Sequence, residues 1–127
     1  MFEVNVEREF CAAHALVIAG FQEPTHGHNF RLTVTVASDA LDGDGLLVDF
    51  HALERLVDSV IRPFANADLN RTPPFDRVNP SAERIAEHIG RAVAEKLGSI
   101  APPAGLKPRL SGVRLTEAPG CSVVYRP

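Results

Sequence analysis

Length, composition and charge describe one globular domain. The chain has 127 residues, of which 45% are hydrophobic and 23% are charged, a balance that excludes a disordered tail and a fibrous repeat. No apolar run approaches the roughly 18 residues of a membrane span, and the net charge of −3 gives no sign of nucleic-acid binding. A chain this short has difficulty enclosing a deep pocket alone, so we expect a neighbouring subunit to help complete any active site.

The N-terminus and the two cysteines indicate the compartment. Residues 1–10 alternate apolar and polar side chains and lack the basic start and long apolar middle of a secretory signal. Cys11 and Cys121 are too few for a disulfide scaffold, and neither belongs to a CxxC pair. We therefore expect a cytoplasmic protein with two reduced structural thiols.

Alternating apolar residues predict two strands in the first part of the chain, over residues 2–14 and 28–38. The segment between them, 15–25, contains glycine and proline and is predicted to be an irregular loop. The sequence DGDG at 42–45 then predicts a tight turn that ends the first half of the chain.

A first helix is predicted directly after this turn. Apolar side chains recur every three and four residues between Phe50 and Phe64, which is the spacing of one helical face. Asp49 is placed to cap the first turn, and Pro63 is expected to end the helix.

A second helix is predicted to begin at an Asn-Pro-Ser sequence. Asn79 is expected to be its cap and Pro80 its first helical residue. An apolar stripe runs from Ala82 to Leu97, and Gly98 is expected to stop the helix.

Two further strands are predicted near the C-terminus, at about 109–117 and 121–126. A loop at 101–105 precedes them, and the Ala-Pro-Gly sequence at 118–120 is typical of a hairpin turn. The order ββααββ predicts one α+β domain over residues 1–127.

Histidines are concentrated near the N-terminus, where His14 ends the first strand and His26 and His28 stand one residue apart. In an extended strand His26 and His28 point to the same face, and pairing of the two strands would bring His14 across from them. Three imidazoles with an open fourth position are what a catalytic zinc requires. Spacing alone leaves open whether they are zinc ligands or ordinary surface and core residues. His51 and His88 are expected to be solvated helix residues.

Several motifs in chain order resemble the 6-pyruvoyl-tetrahydropterin synthase family, which includes bacterial 6-carboxy-tetrahydropterin synthases. The matching segments are Phe10-Cys11-Ala12-Ala13-His14, His26-Gly27-His28-Asn29-Phe30, Val48-Asp49-Phe50, Leu69-Asn70, Asn79-Pro80-Ser81 with Glu83, and Thr116-Glu117 with Tyr125. The resemblance covers the whole chain. It implies a T-fold, which is an antiparallel four-stranded sheet with two helices on one face. It also implies a homo-oligomer, either a trimer or a hexamer, with sites at the subunit interfaces.

The resemblance also implies a set of site residues. His14, His26 and His28 would bind zinc, and the substrate would be 7,8-dihydroneopterin triphosphate. Glu117 would grip the pterin with Thr116 beside it in the substrate site. A carboxylate can accept two parallel hydrogen bonds from the 2-amino group and the adjacent ring N–H, which gives direction as well as affinity.

One departure from the family pattern concerns the catalytic base. Most members have a cysteine four residues before the HGH motif, but this chain has Gln22 there, which cannot act as a base at neutral pH. Glu23 follows it, and this ExxHGH arrangement resembles the glutamate-motif branch of the family. Members of that branch cleave the side chain in a retro-aldol step that yields 6-hydroxymethyl-7,8-dihydropterin for folate synthesis. Glu23 is therefore the predicted general base.

A second departure concerns proton transfer. The usual Asp-His pair is replaced by Ala65-Asn66, and Asp68 or His51 could substitute only if the fold brings them near the site. Three hypotheses follow: a zinc-dependent lyase that uses Glu23, a 6-carboxy-tetrahydropterin synthase on the route to queuosine or a related deazapurine, and a catalytically weakened zinc- and pterin-binding paralogue. The single retro-aldol step needs the fewest proton transfers, which favours the first.

Overall fold

The computed structural model describes residues 1–101 and 105–127, so three residues of the predicted loop at 101–105 lie outside the described residues. Two helices and seven strands make up the described chain. In order they are β1 (Phe2–His14), β2 (Val17–Ile18), β3 (Phe21–Gln22), β4 (His26–Ser38), α1 (Phe50–Ile61), β5 (Ala67–Asp68), α2 (Ala82–Lys96), β6 (Arg109–Ala118) and β7 (Cys121–Tyr125). Short 3₁₀ turns follow β5 and α2.

Five strands form the main sheet, in the order β5-β1-β4-β6-β7. β1 and β4 pair antiparallel along their whole length, from Phe2 opposite Ser38 to His14 opposite His26. β4 pairs antiparallel with β6 and β6 with β7, whereas β5 adds two residues parallel to β1. β2 and β3 form a separate hairpin between β1 and β4.

One face of the sheet carries the core. Alternate residues of β4, from Phe30 to Val36, are buried, and the helices cover the same face. α1 contributes a buried stripe of Leu53, Leu56, Val57, Val60 and Ile61, and α2 contributes Ile85, Ala86, Ile89, Gly90 and Val93. The 3.6-residue period of the helices and the 2-residue period of the strands therefore point their apolar sides at each other.

The predicted α+β class with two helices on one face of an antiparallel sheet is confirmed, but the predicted four strands are joined by a fifth. The segment 15–25, which the sequence predicts to be irregular, contains the β2–β3 hairpin. Strands of two residues show no alternation along the sequence, so the period that predicts β1 and β4 cannot predict β2, β3 or β5.

The first helix begins where the sequence predicts. The side chain of Asp49 accepts a hydrogen bond from the backbone N–H of His51 and caps α1. The helix ends at Ile61, directly before Arg62 and Pro63. Within the described ranges, no helix is both long and apolar enough to cross a membrane.

The predicted ends of the second helix are wrong. Ser81 is the cap of α2, since its side chain accepts from the N–H of Arg84, and Ala82 is the first helical residue. The side chain of Asn79 is instead bonded to the main chain of Val17. At the other end, a 3₁₀ turn continues from Leu97 through Gly98 to Ile100.

Candidate active site

Three histidines meet where β1 ends and β4 begins. His14 is the last residue of β1 and lies opposite His26, the first residue of β4, while His28 lies two residues further along β4 on the same face. One ligand nitrogen of each lies within 4.8 Å of the others. Strand register therefore brings together the three predicted ligands, His14, His26 and His28.

Main-chain carbonyls fix the orientation of two of the rings. Nδ1 of His14 lies 2.8 Å from the carbonyl oxygen of Pro80, and Nδ1 of His26 lies 2.9 Å from that of Pro24. Because a carbonyl oxygen only accepts hydrogen bonds, each Nδ1 carries the proton and donates it. Each Nε2 then keeps its lone pair free, as a metal ligand requires.

The centre of the cluster fits a cation. Nε2 of His14 and of His28 are buried without a hydrogen-bond partner, and Oε1 of Glu117 lies 3.1 Å from the first and 3.8 Å from the second. Burial lowers the pKa of His28, against the opposing effect of Glu117, and so favours the neutral ligand form. Imidazole lone pairs that face a carboxylate repel it unless positive charge lies between them, so these residues fit a zinc ion.

The predicted base lies beside this cluster. Oε1 of Glu23 is 3.6 Å from Nε2 of His26, and the Glu23 side chain is 29% exposed. The same oxygen accepts a hydrogen bond of 3.0 Å from the N–H of Leu16. Glu23 is therefore held on the metal side of the site and open to solvent. Gln22, at the usual cysteine position, is exposed on β3.

Glu117, which lies beside the histidines, also lines a small cavity. The cavity has a volume of about 340 Å³, and Glu117 and Glu83 line it together with Leu16 and Ser122. Glu83 lies in the first turn of α2. The only signal in the sequence that singles out Glu83 is the Asn-Pro-Ser-Ala-Glu motif.

Thr116 lies on the other face of the sheet from Glu117. Successive residues of a strand point to opposite faces, and Thr116 lines a concavity of about 750 Å³ with Arg31 and Arg114 on the outer face. The geometry of one chain therefore places the Thr116 side chain away from the histidines, and its predicted role in substrate binding stays a prediction for an assembly in which a second copy completes the site.

The segment that replaces the usual Asp-His pair forms another depression against His28. Asn66 and Asp68 line this space, of about 580 Å³, with Cys11 and the backbone around His28. The backbone N–H of Asn66 donates to the carbonyl of Cys11, so this residue is a structural link. Of the two proposed substitutes, Asp68 shares the depression with His28.

The two helical histidines differ in their surroundings. The His51 side chain is 82% exposed and lies 3.1 Å from Glu54, as expected of a solvated residue. His88 is partly buried against the rings of Phe64 and Phe75, so its predicted solvation is wrong. Desolvation by burial lowers the pKa of His88. Neither belongs to the histidine group that could hold a metal in the described residues.

Comparisons with known proteins identify the family of this chain. The family model described as 6-pyruvoyl tetrahydropterin synthase matches residues 3–127. The chain is 29% identical over 128 residues to the 6-carboxy-5,6,7,8-tetrahydropterin synthase of Bacillus subtilis, covering 99% of this chain and 86% of that one. It is 34% identical over 88 residues to the dihydroneopterin monophosphate aldolase of Pyrococcus furiosus, covering 69% and 71%.

The fold comparison gives the same result. The structure of Caenorhabditis elegans 6-pyruvoyl tetrahydropterin synthase superposes with a TM-score of 0.75 at 22% identity, covering 100% of this chain and 97% of that one. The expected T-fold is thereby confirmed. With a family match over nearly the full length, the chain belongs to the 6-pyruvoyl-tetrahydropterin synthase family, whose members process pterins.

Proposed function

We propose that this chain is a zinc-dependent lyase that cleaves the C6 side chain of 7,8-dihydroneopterin triphosphate, or its monophosphate, to 6-hydroxymethyl-7,8-dihydropterin for folate synthesis. The observation that carries the proposal is the Glu23 carboxylate, whose Oε1 lies 3.6 Å from Nε2 of His26 while Gln22 occupies the usual base position. A relative named dihydroneopterin monophosphate aldolase supports the same reaction.

The chain's own residues account for the proton transfers of this reaction. Zinc held by His14, His26 and His28 would polarise the side-chain hydroxyl oxygens and stabilise negative charge. Glu23 removes the proton of the C2′ hydroxyl, the C1′–C2′ bond breaks, and C2′ becomes the aldehyde carbon of a phosphorylated glycolaldehyde. The electron pair of that bond enters the dihydropterin ring system, and C1′ is then protonated by the acid form of Glu23.

Glu117 is proposed to fix the direction of the pterin. Its carboxylate borders both the 340 Å³ cavity and the histidine cluster. Such a carboxylate can accept two parallel hydrogen bonds, from the 2-amino group and the adjacent ring N–H of the pterin, which fixes the orientation of the ring. Because C6 lies across the bicyclic ring from that edge, Glu117 anchors the end of the pterin that is remote from the reacting side chain.

A second candidate, 6-carboxy-tetrahydropterin synthase activity, is favoured by the Bacillus subtilis relative, which matches over 99% of this chain. That reaction requires more proton transfers than one retro-aldol step. Gln22 and Ala65-Asn66 provide no acid or base at the positions that the family uses for them. The retro-aldol assignment therefore agrees better with the residues present.

Product analysis tests the assignment. Zinc-loaded protein is incubated with dihydroneopterin triphosphate and, separately, monophosphate, and products are identified by mass spectrometry. We expect hydroxymethyl-dihydropterin from the wild type, its loss in Glu23→Gln, and its retention in Glu95→Gln, which removes an exposed acid of α2. A carboxypterin product that persists in Glu23→Gln would favour the synthase, and tight binding without turnover would favour the weakened paralogue.

Assembly and location complete the proposal. β5 covers only two residues of β1, which leaves the edge of β1 from Phe2 to Phe10 open for pairing with a second copy. We expect a homo-oligomer, a trimer or hexamer by light scattering, with an inactive monomer; an active monomer would contradict this. The free, exposed Cys11 and Cys121 accord with a cytoplasmic enzyme, which cell fractionation tests.

A further inference from the structure

The three residues that follow His14, which we call the strap (Ala15–Val17), are held by side chains from distant parts of the chain. Asn70 accepts from the N–H of Ala15 at 2.8 Å and donates to its carbonyl at 2.9 Å. Asn79 likewise accepts from the N–H of Val17 at 2.9 Å and donates to its carbonyl at 3.0 Å. Each asparagine thus bonds one strap residue as a neighbouring strand would.

The middle residue of the strap, Leu16, is bonded to Glu23 at both of its main-chain polar groups. The N–H of Leu16 donates to Oε1 of Glu23 at 3.0 Å, and the N–H of Glu23 donates to the carbonyl of Leu16 at 2.9 Å. All three strap residues therefore have both main-chain polar groups bonded to one partner each. The position of the Glu23 carboxylate depends on where the strap lies.

Only an amide can make these paired bonds, because it offers one acceptor and one donor side by side, whereas a carboxylate only accepts. Both asparagines are themselves fixed by the fold. The N–H of Asn70 donates to Oδ1 of Asp68 in the 3₁₀ turn after β5. Asn79 directly precedes Pro80, whose carbonyl accepts from His14, so one segment orients both a metal ligand and the strap.

We propose that Asn70 and Asn79 are positioning residues that place the Glu23 carboxylate against the metal centre by holding the strap. The inference rests on the proposed function in one respect, the role of Glu23 as base. It gives a task to two motif residues, in Leu69-Asn70 and Asn79-Pro80-Ser81, for which the reaction itself has no use.

The first test is independent of activity. Amide hydrogen exchange of the Leu16 N–H reports its bond to Glu23, and it is measured in wild type, Asn70→Asp and Asn79→Asp. Each substitution keeps the acceptor and removes the donor, so we expect exchange of Leu16 to accelerate by about tenfold. Asn5→Asp, which introduces the same change on β1 away from the strap, is the control and should leave Leu16 unchanged. Unchanged Leu16 exchange in both strap variants would overturn the proposal.

The second test is kinetic. With zinc content and circular dichroism unchanged, Asn79→Asp should lower kcat by about 10- to 100-fold with little effect on KM, as expected when a reacting group is misplaced. In the Glu23→Gln background, the same substitution should lower the residual kcat very little further. An equal loss in both backgrounds, or a wild-type kcat in both asparagine variants, would overturn the positioning role. Faster Leu16 exchange in the variants, together with no cleavage of either substrate by the wild-type protein, would refute the proposed function while leaving the positioning of the Glu23 carboxylate intact.

Discussion

Gly90 of α2 packs against β6 and β7, and its replacement by alanine tests how tightly these elements pack. Gly90 is a buried residue within α2. A methyl carbon there would lie 2.6 and 2.8 Å from Cδ1 and Cε1 of Tyr125 and 3.3 Å from Cδ2 of Leu110. Optimal carbon contacts are about 3.5–4.0 Å, so the ring or the helix must move.

Two opposing effects set the magnitude. Alanine is about 1 kcal/mol more favourable than glycine within a helix. Overpacking of a close-packed site costs about 1–3 kcal/mol. Because both ring contacts are far below the optimal distance, we expect the upper part of that range and a net loss of about 1–2 kcal/mol in the free energy of unfolding.

Urea denaturation followed by circular dichroism measures this loss. Gly98→Ala is the matched control, since no atom lies within 4 Å of its added carbon. In a Tyr125→Ala background, where the ring is absent, Gly90→Ala should change sign and stabilise by up to about 1 kcal/mol. A Gly90→Ala protein as stable as wild type, or equally destabilised in both backgrounds, would refute the reasoning.

Three further predictions concern the metal, pH and an ion pair. His26→Ala should lose bound zinc by elemental analysis while His51→Ala keeps it, and full zinc content in His26→Ala would disprove the three-histidine site. Burial lowers the pKa of His88, so as pH falls below about 6.5 this histidine is protonated in the unfolded chain before it is protonated in the folded one. The free energy of unfolding should therefore decline below that pH. Urea titrations across the range should show a shallower decline for His88→Phe. The hydrogen bond from Arg8 lowers the pKa of Glu54, so this ion pair stabilises the fold at pH values above the ordinary pKa of a glutamate and stops doing so as pH falls and Glu54 is protonated. Arg8→Gln should therefore lower the free energy of unfolding at pH 7 but not at pH 3. An equal effect at both pH values would contradict this.

Long periodic elements, and the meeting of the three histidines that they carry, could be predicted from the sequence. Alternation defines β1 and β4, and their antiparallel register follows from burying one face of each strand. That register alone brings His14 opposite His26, and a spacing of two places His28 beside them. The same alternation sends Thr116 and Glu117 to opposite faces, a consequence that motif matching overlooks.

The elements that could not be predicted depend on contacts between distant residues. Asn79 and Ser81 are both good helix caps by residue type, and the choice falls to Ser81 because the amide of Asn79 is bonded to Val17. The hairpin of β2 and β3 follows a strap held by Asn70 and Asn79 rather than by an apolar pattern of its own. Likewise, no local signal shows that the Pro24 and Pro80 carbonyls orient two histidines.

The hairpin of β2 and β3 leads directly to the proposed base, whereas the proposed metal ligands lie on β1 and β4. Its attachments are main-chain bonds to Asn70, Asn79 and Glu23, none of which involves the register of the ligand strands. The strand pairs that bring the three histidines together are formed outside this hairpin, so a change of residue type at position 22 or 23 leaves that register in place. The fold can keep one metal centre and exchange the reactive group beside it, so that a new reaction requires a new hairpin rather than a new site.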